Sequence, residues 1–484
     1  MARRRPRLRR PEDRARTGFA LGGLGPALVG ALALQTACAT SSTMREAPRQ
    51  GAGDEAATVD IPYESYTLDN GLKVILHQDN RLPLVAVSVW YDVGALHERP
   101  GRSGFAHLFE HMMFQGSPHV GEDRHFATLE EVGGSQVNGT TSFDRTNYFE
   151  TVPSNALEVA LWLEADRMGF LLDSLTAESL ANQIDVVRNE RRQSVESRPY
   201  GLMDEFITQT LYPAPHPYHG NVIGSLEDIG AATLEDVREF FSTYYTPANA
   251  TLTLAGDIDL PRTKALVEKY FGPLEGRPKP DRPSVGPPRL DAARVIDFDE
   301  PVGRLPRLSV VWPGPPAFSE DAAALDLLAH VISGTRSSRL DTKVSFEDPL
   351  AQSVTAYFRE YSAGGQFQID ITLQPGRTLD EALAAVDEVL AGLDGAPPTP
   401  EELTRAKNAI ETRKLFGLER LGGFGGRAEQ LQTYNHYLGD PGRFEWDLER
   451  YRGVTLDDLR RVKRTWLDAA RLVVEASPAN GGSR

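Results

Sequence analysis

The chain has almost no cysteine: Cys38 is the only one among 484 residues. A disulfide framework and a CxxC zinc site are therefore excluded, and any metal must be held by His, Asp or Glu. Basic residues are also in deficit, with 52 against 68 acidic ones, and the net charge of −16 argues against nucleic acid as the main partner. The composition, 40% hydrophobic and 25% charged, is that of a globular protein, and the length predicts two or more domains.

A long membrane-spanning run is absent as well. The apolar stretch Phe19–Leu34 is short and glycine-rich, and an arginine-rich segment precedes it. This order predicts an export signal over residues 1–38. The residues before Cys38 resemble a bacterial lipoprotein signal, although Gln35 stands where leucine is usual. Acylation of Cys38 would anchor the chain to the bacterial envelope, and this would be its only membrane contact. A plain cleaved signal, giving a periplasmic protein, and an uncleaved anchor are the alternatives. Residues 39–60 predict a flexible tether.

The remaining chain contains a twofold internal repeat. Arg81-Leu82-Pro83 recurs as Arg304-Leu305-Pro306, and the helix start at Thr176 recurs at Thr399, both 223 residues later. The helix start at Thr233 recurs at Thr455 after 222 residues. Helix caps of this kind are common, but their frequency does not explain a spacing that the three pairs share to within one residue. The repeat predicts a first domain over 61–271, a linker rich in proline and glycine over 272–288, and a second domain over 289–484.

Strand and helix patterns indicate the fold class. A hairpin is predicted over Tyr66–Gln78, because Asn70-Gly71 separates two strand-like runs. Leu84–Val93 is rich in β-branched residues, and Ser135–Val152 predicts two further strands. A long helical segment follows at Ala177–Arg198. Adjacent strands followed by helices indicate an α+β fold rather than a doubly wound sheet.

The strongest chemical signal is the segment His107-Leu108-Phe109-Glu110-His111. On a helix, His107 and His111 lie one turn apart on the same side, so that their imidazoles can bind one Zn²⁺ ion. Glu110 lies about 100° or less from each around the helix, where it can act as a general base beside the open coordination position. This is the HxxEH order of the inverzincins.

A catalytic zinc also needs a third protein ligand. Glu190, in the charged helical segment, is the leading candidate. Glu196 and Glu150 are rivals, and spacing alone does not decide among the three.

Four segments together resemble peptidase family M16, which includes pitrilysin, insulysin and the mitochondrial processing peptidase. They are His107–Phe114, Gly133–Asn138, Asn189–Gln193 and Arg198–Gly201. The resemblance extends over nearly the whole chain after residue 60. It implies that Glu190, which follows His111 by 79 residues, is the third zinc ligand. Many members carry a second carboxylate where this chain has Gln183.

The resemblance also implies a fold and a way of binding substrate. Each half is expected to be an antiparallel sheet with helices packed on one side, and the two halves form half of a clamshell. An edge strand is expected to bind an extended peptide by backbone pairing. The matching residues here are Ser135, Gln136, Val137, Asn138 and Gly139.

The second half does not repeat the metal pattern. At the 223-residue spacing, His107 corresponds to His330, but Glu110, His111 and Glu190 correspond to Ser333, Gly334 and Arg413. His330 is therefore interpreted as a helix residue near the core. In family M16 this half contributes an Arg and a Tyr to the scissile carbonyl, and those positions are Ser345 and Gln352 here. The resemblance thus implies a heterodimer with a second M16-like chain that carries the Arg/Tyr pair, with a homodimer as the alternative.

Two further patterns in the second half are interpreted as structural. Arg427 and Tyr434 have the seven-residue spacing of the missing pair but lie far downstream in a helical region, so we treat the match as coincidence. The run Gly422-Gly423-Phe424-Gly425-Gly426 has neither a preceding strand nor a GK[ST] sequence, and it predicts a helix break or hinge rather than a phosphate loop.

The sequence thus predicts a zinc metalloendopeptidase that acts on extended peptides or unfolded proteins, with Glu110 as general base. Two alternatives remain open. One is a metal-binding but non-catalytic assembly subunit of the same fold, and the other is a protein that binds peptides without cleaving them.

Overall fold

Two β-sheets carry the fold, in a computed structural model that describes residues 58–122 and 124–479. The first sheet contains β1 (Glu64–Thr67), β2 (Lys73–Gln78), β3 (Leu84–Tyr91), β4 (Ser135–Thr141), β5 (Thr146–Pro153) and β6 (Ala250–Gly256). The second contains β7 (Arg294–Glu300), β8 (Arg307–Gly314), β9 (Ala351–Arg359), β10 (Gly365–Leu373) and β11 (Leu472–Pro478). The signal segment with Cys38 lies outside the described residues, and its acylation stays a prediction.

Helices follow the strands in both halves. The first half has α1 (Phe105–Met112), α2 (Arg124–Glu131), α3 (Leu157–Ser174), α4 (Ala177–Arg191), α5 (Gly201–Leu211), α6 (Leu226–Gly230), α7 (Leu234–Tyr244) and α8 (Leu260–Phe271). The second has α9 (Ala322–Ile332), α10 (Arg339–Asp341), α11 (Leu379–Gly395), α12 (Pro400–Gly417), α13 (Arg427–Leu438), α14 (Phe444–Gly453) and α15 (Leu456–Val462). None of these described helices is long and apolar enough to cross a membrane.

The two sheets have the same strand order, apart from the extra strand β1. The first runs β1-β2-β6-β3-β5-β4 and the second runs β7-β11-β8-β10-β9. In each, one pair is parallel (β2 with β6, β7 with β11) and the other pairs are antiparallel. The threonines at the repeated helix starts, Thr176, Thr233, Thr399 and Thr455, each accept a hydrogen bond from a backbone N–H in the first helical turn. The predicted α+β class and the internal duplication are confirmed.

One face of each sheet packs against helices of its own half. Val85, Val87 and Val89 of β3 point into a core with α1 and α3, and Val310 and Trp312 of β8 point into the corresponding core with α9. All five side chains are fully buried. The side chains between them on the same strands point to the opposite face.

The opposite face of the first sheet is covered by a helix of the second half. Helix α13 crosses β3 and β6, and its Ala428 packs with Ala86 and Ala255. Glu429 of the same helix is buried, and Ser88 Oγ and Trp90 Nε1 donate hydrogen bonds to its Oε1 at 2.8 and 3.3 Å. Both apolar packing and buried polar contacts therefore hold α13 on this sheet.

The second sheet is covered reciprocally by a helix of the first half. Met203 and Ile207 of α5 share a buried cluster with Leu472 and Val474 of β11. The residues just before α5 and α13 also correspond to each other in the internal repeat. Tyr200 and Gly423 are 223 positions apart, and both have left-handed backbones with φ of 65° and 68°. The two halves therefore exchange equivalent helices, and the chain from Thr58 onward forms one compact unit.

A cluster of charged groups is buried where the halves meet. Asp144, in the turn between β4 and β5, is fully buried and lies 3.0 Å from Arg282 Nη2. The backbone N–H of Ser362 donates to the second carboxylate oxygen of Asp144 at 3.0 Å. Arg282 also lies 3.3 Å from Asp92, which pairs with Lys279 at 2.7 Å. These contacts join the β4–β5 turn to the linker and to the second half.

Two buried histidines beside this cluster generate a prediction. Burial lowers the pKa of His97 and of His436 from 6.5 to about 4, against the opposing effect of Asp92. The unfolded chain takes up these protons below about pH 6.5, whereas the folded chain does not until about pH 4. We expect the free energy of unfolding to decrease as pH is lowered through this window, by up to about 1.4 kcal/mol per pH unit for each histidine.

Urea unfolding of the metal-free protein between pH 7 and pH 4 measures this effect. The matched variant is His436→Phe. The ring centroid of His436 lies 5.6 Å from that of Trp90 and 4.8 Å from that of Tyr437, and a phenyl ring can keep these contacts but cannot bind a proton. Its stability should fall less steeply with decreasing pH. Parallel curves for the two proteins would contradict the assignment to His436.

Candidate metal centre

Helix α1 brings the two motif histidines to one side. His107 and His111 are one turn apart, and their ring centroids are 4.8 Å from each other. On the other side of the helix, Leu108, Phe109 and Met112 are buried in the core of the first half. Because the apolar stripe anchors α1, the two imidazoles are held away from the core.

The start of α1 is fixed by the side chain of Glu98, a residue that no motif in the sequence singles out. Glu98 accepts the backbone N–H groups of Gly104 at 3.0 Å and of Ala106 at 2.9 Å. Burial raises the pKa of Glu98 to about 8. Gly104 has a φ of 86°, and a Cβ there would lie 2.4 Å from the carbonyl oxygen of Ile223. Glu98 and Gly104 therefore set the position from which His107 and His111 project. The only sequence signal of this role is that an acidic residue, Glu98, stands six residues before Gly104, the glycine that precedes α1.

Helix α4 supplies the third member of the group. Glu190 Oε2 lies 3.1 Å from His111 Nε2 and 3.7 Å from His107 Nε2. One ligand atom from each of the three residues lies within 4.8 Å of the others, and within the described residues this is the one group of His, Cys, Asp and Glu that could hold a metal. Glu190 is the most exposed of the three, with 40% of its side chain accessible. The group is therefore open to solvent on one side.

The two rival glutamates lie in other surroundings. Glu150 is buried on β5, and its pKa is raised by burial and by the neighbouring Glu164. Glu196 lies after α4, with Oε1 3.3 Å from Arg191 Nε. Gln183, at the position of the family's second carboxylate, is buried on α4. Of the three candidates for the third ligand, only Glu190 meets the histidines.

The protonation states suit a metal. Burial lowers the pKa of His107 to about 4, so its imidazole is neutral at pH 7. The contact with His111 lowers the pKa of Glu190, which is therefore a carboxylate. Zinc in peptidases binds two imidazole nitrogens and one carboxylate oxygen and keeps a fourth position free. Three such atoms converge here beside an open face, so the residues fit Zn²⁺.

Glu110 lies between α1 and the outermost strand of the first sheet. Thr141 Oγ1 donates a hydrogen bond to Glu110 Oε2 at 2.6 Å. A Cβ on Gly139 would come within 3.0 Å of Glu110 Cγ and 3.2 Å of Oε1, so the glycine leaves room for the carboxylate. Burial raises the pKa of Glu110. Thr141 could not be predicted as a site residue from the sequence, because only its alternation with Gly139 along β4 places it on this side.

Strand β4 forms one edge of the first sheet and includes the five predicted substrate-binding residues. Ser135, Gln136 and Asn138 are exposed, whereas Val137 and Gly139 face α1 and the core. Pairing with β5 is irregular between Ser135 and Asn138, and Gln136 has a φ of 54°. Asn138 Oδ1 accepts the Gly139 N–H at 2.9 Å. The second edge of β4 has no neighbouring strand among the described residues.

The corresponding residues of the second half lie in a different environment. His330 is half-buried on α9, and Arg413, on α12, lies 3.7 Å from Asp326. Ser345 is half-buried in the turn after α10, and Gln352 is exposed on the edge strand β9. Neither position carries an Arg or a Tyr.

The other patterns noted in the second half have structural positions. Arg427 forms an ion pair with Asp79, and the buried Tyr434 hydroxyl donates to Asp447 at 2.9 Å. Both side chains hold α13 in place. The run Gly422–Gly426 connects α12 to α13.

Comparisons with known proteins agree with this geometry. Residues 73–217 match the family model "Insulinase (Peptidase family M16)", and residues 231–410 match "Peptidase M16 inactive domain". The zinc protease PqqE of Helicobacter pylori is 30% identical over 310 residues, which cover 63% of this chain and 69% of that protein. The uncharacterized zinc protease YmxG of Bacillus subtilis is 26% identical over 360 residues, covering 73% of this chain and 84% of that protein.

A solved structure shows the same architecture. The crystal structure of a protease from Helicobacter pylori superposes with a TM-score of 0.80 at 26% identity, covering 87% of this chain and 100% of that one. Similarity thus extends over the sequence of both halves and over the three-dimensional fold. The chain belongs to peptidase family M16.

Proposed function

We propose that this protein is a zinc metalloendopeptidase that hydrolyses extended peptides or unfolded proteins. The observation that carries the proposal is the convergence of His107, His111 and Glu190 within 4.8 Å, with Glu110 held beside them by Thr141. Both relatives described above are named zinc proteases, which supports the choice of Zn²⁺ and of peptide hydrolysis.

His107 Nε2, His111 Nε2 and Glu190 Oε2 would hold the ion. When bound, zinc supplies Lewis-acid activation of water and of the scissile carbonyl. Glu110 acts through Oε1, because Thr141 already donates to Oε2. It takes a proton from the attacking water at Oε1 and delivers it to the leaving amine. Its raised pKa makes it a stronger base than an exposed glutamate.

The substrate binds as an added strand along the free edge of β4. Backbone hydrogen bonds from alternate residues of the segment that contains Ser135, Gln136, Val137, Asn138 and Gly139 give affinity without demanding a particular sequence. The Gly139 N–H donates to Asn138 Oδ1, and a carbonyl oxygen of a bound peptide can replace this side-chain acceptor. A folded protein offers no such free strand, so the substrate must be extended.

The non-catalytic alternative rests on Ser345 and Gln352. Without an Arg and a Tyr at these positions, the chain supplies no second set of donors for the developing oxyanion. We propose that a second M16-like chain supplies them in a heterodimer. For location, we propose export, on the basis of the arginine-rich start and the segment before Cys38.

The first prediction concerns metal content. We expect one zinc per chain after dialysis, and none in His107→Ala, His111→Ala or Glu190→Gln, because each change removes a ligand. Glu196→Gln is the matched control, since it alters a neighbouring glutamate that does not meet the histidines, and it should keep the zinc. Elemental analysis measures all five proteins. Loss of zinc from the control and retention in Glu190→Gln would reverse the assignment.

A second prediction separates the base from the ligands. Glu110→Gln should retain zinc and lose about 10²–10⁴-fold in turnover, since the general base is absent. Gly139→Ala should also retain zinc and lose turnover, because its Cβ would displace the Glu110 carboxylate. The control is Gly392→Ala, where a Cβ meets no atom within 4 Å. Cleavage of a fluorogenic peptide and zinc content are measured together. Full activity of Glu110→Gln would exclude it as the base.

A third prediction concerns the partner. The isolated chain should bind zinc but turn over slowly, because each missing oxyanion donor costs about 10²–10³ in rate. Mixing it with an M16-like chain that carries the Arg/Tyr pair should restore cleavage of an unfolded protein. The measurement is activity against the ratio of the two chains. Full turnover by a homodimer, with no gain from the second chain, would overturn the heterodimer. Zinc binding without turnover in any mixture would favour the non-catalytic role.

A further inference from the structure

The turn Leu421–Gly426, between α12 and α13, lies on the first sheet. Leu421 is buried with Ala86 in the small cluster under α13. A Cβ at Gly422 would be 2.7 Å from Thr151 Oγ1 and 2.8 Å from the Ala86 Cβ. The backbone therefore touches strands β3 and β5 at a distance that only glycine allows.

The same turn reaches the strand at the edge. Gly423, with its left-handed backbone, would place a Cβ 3.3 Å from the Gln136 amide on β4. Thr151 Oγ1 donates to Gln136 Oε1 at 3.0 Å. Gln136 is thus held between β5 and the glycine turn. The second half of the chain therefore contacts the strand that we propose as the substrate platform.

The turn carries an exposed aromatic ring. Phe424 is 57% exposed, and its ring meets that of Phe149 edge-on, with centroids 5.2 Å apart and planes at 78°. Phe149 is buried on β5 and pairs directly with Asn138 of β4. Phe424 therefore presents an apolar surface on the face of the sheet where Asn138 points.

The two faces of β4 differ in chemistry. Gly139 pairs with the buried Tyr148, and its own α-carbon faces Glu110. Asn138, one residue earlier, faces the side of Phe149 and Phe424. A peptide added about 4.8 Å beyond β4 alternates in the same way. Its residue opposite Gly139 turns toward the metal centre, and its residue opposite Asn138 turns toward the ring of Phe424.

We propose that Phe424 is a specificity-determining residue that contacts an apolar side chain of the substrate, at the residue paired with Asn138. The inference rests on the proposed function, since it requires a peptide along β4. An aromatic or aliphatic substrate side chain would cover the exposed ring and extend the Phe149–Phe424 pair. A charged side chain would lose hydration against the apolar ring.

The experiment uses the cleaving complex and a set of host peptides. In each peptide, Phe, Leu, Ala or Asp is placed at one position in turn, and kcat/KM is measured. We expect one position at which Phe and Leu are preferred over Asp by about three- to tenfold. Phe424→Ala should abolish that preference and leave the other positions unchanged. Phe424→Leu should keep most of it, because an apolar side chain remains.

Two further variants test the geometry. Gly422→Ala should weaken the same preference, since its Cβ lifts the turn from Thr151 and Ala86. Phe170→Ala is the matched control, because Phe170 is also an exposed ring but lies on α3. It should leave the preference intact. A preference that survives in Phe424→Ala, or a uniform loss over all peptides in that variant, would overturn the inference.

The test separates this inference from the function on which it rests. If the complex cleaves peptides without any apolar preference, the inference fails and the proposed function stands. If nothing is cleaved, the proposed hydrolysis fails. The same peptides are then bound to the zinc-loaded chain and its Phe424→Ala variant, with dissociation constants from fluorescence anisotropy. A three- to tenfold weaker binding of the Phe peptide by the variant supports the contact, and equal binding overturns it.

Discussion

The reciprocal exchange of α5 and α13 is the constraint on which the rest of the structure depends. Each helix covers the sheet of the opposite half, so the central strands β3 and β8 are removed from water on both faces. This explains why β3 and β8 are buried almost throughout, rather than alternating between buried and exposed residues. It also joins the halves through buried contacts. The candidate metal centre is built entirely from the first half, but the sheet that supports it is covered on its other face by a helix of the second half.

The metal centre combines local and long-range geometry, and the two differ in how far the sequence predicts them. One helical turn sets the separation of His107 and His111, so the motif alone predicts that they meet. Glu190 comes from a distant helix, and spacing could not separate it from Glu150 and Glu196. The family resemblance selected it. Burial explains the outcome for Glu150, because a carboxyl with a raised pKa among Glu164 and Arg167 is not available as a ligand.

The exchange of helices could not be predicted, because α13 does not look like a core helix. Arg427, Glu429 and Gln432 lie on its buried side, and their polarity suggests an exposed surface. Partners on the other half satisfy them: Glu429 accepts from Ser88, and Gln432 Nε2 donates to the Thr251 carbonyl at 2.8 Å. Hydrophobic periodicity shows which residues are apolar, but not which polar residues will find buried partners. Strands and turns were predicted well because their signals are local, as at Asn70-Gly71.

The same exchange gives the duplicated half a role after the loss of its metal residues. The segment before α5 carries Tyr200, whose hydroxyl donates to the Leu305 carbonyl at 2.8 Å on the second half. The equivalent segment before α13 carries Gly423, which contacts Gln136 on β4. One copy of the repeat thus joins the two halves, and the other brings a glycine turn to the edge strand β4 and an aromatic ring to the neighbouring strand β5. Glu110 of the first half lies against one face of β4, and Phe424 of the second half lies on the other face of the sheet, against Phe149 of β5. Under the proposed function, a peptide strand that pairs with this edge would meet Glu110 on one face and Phe424 on the other, so both halves of the chain would contribute to one site.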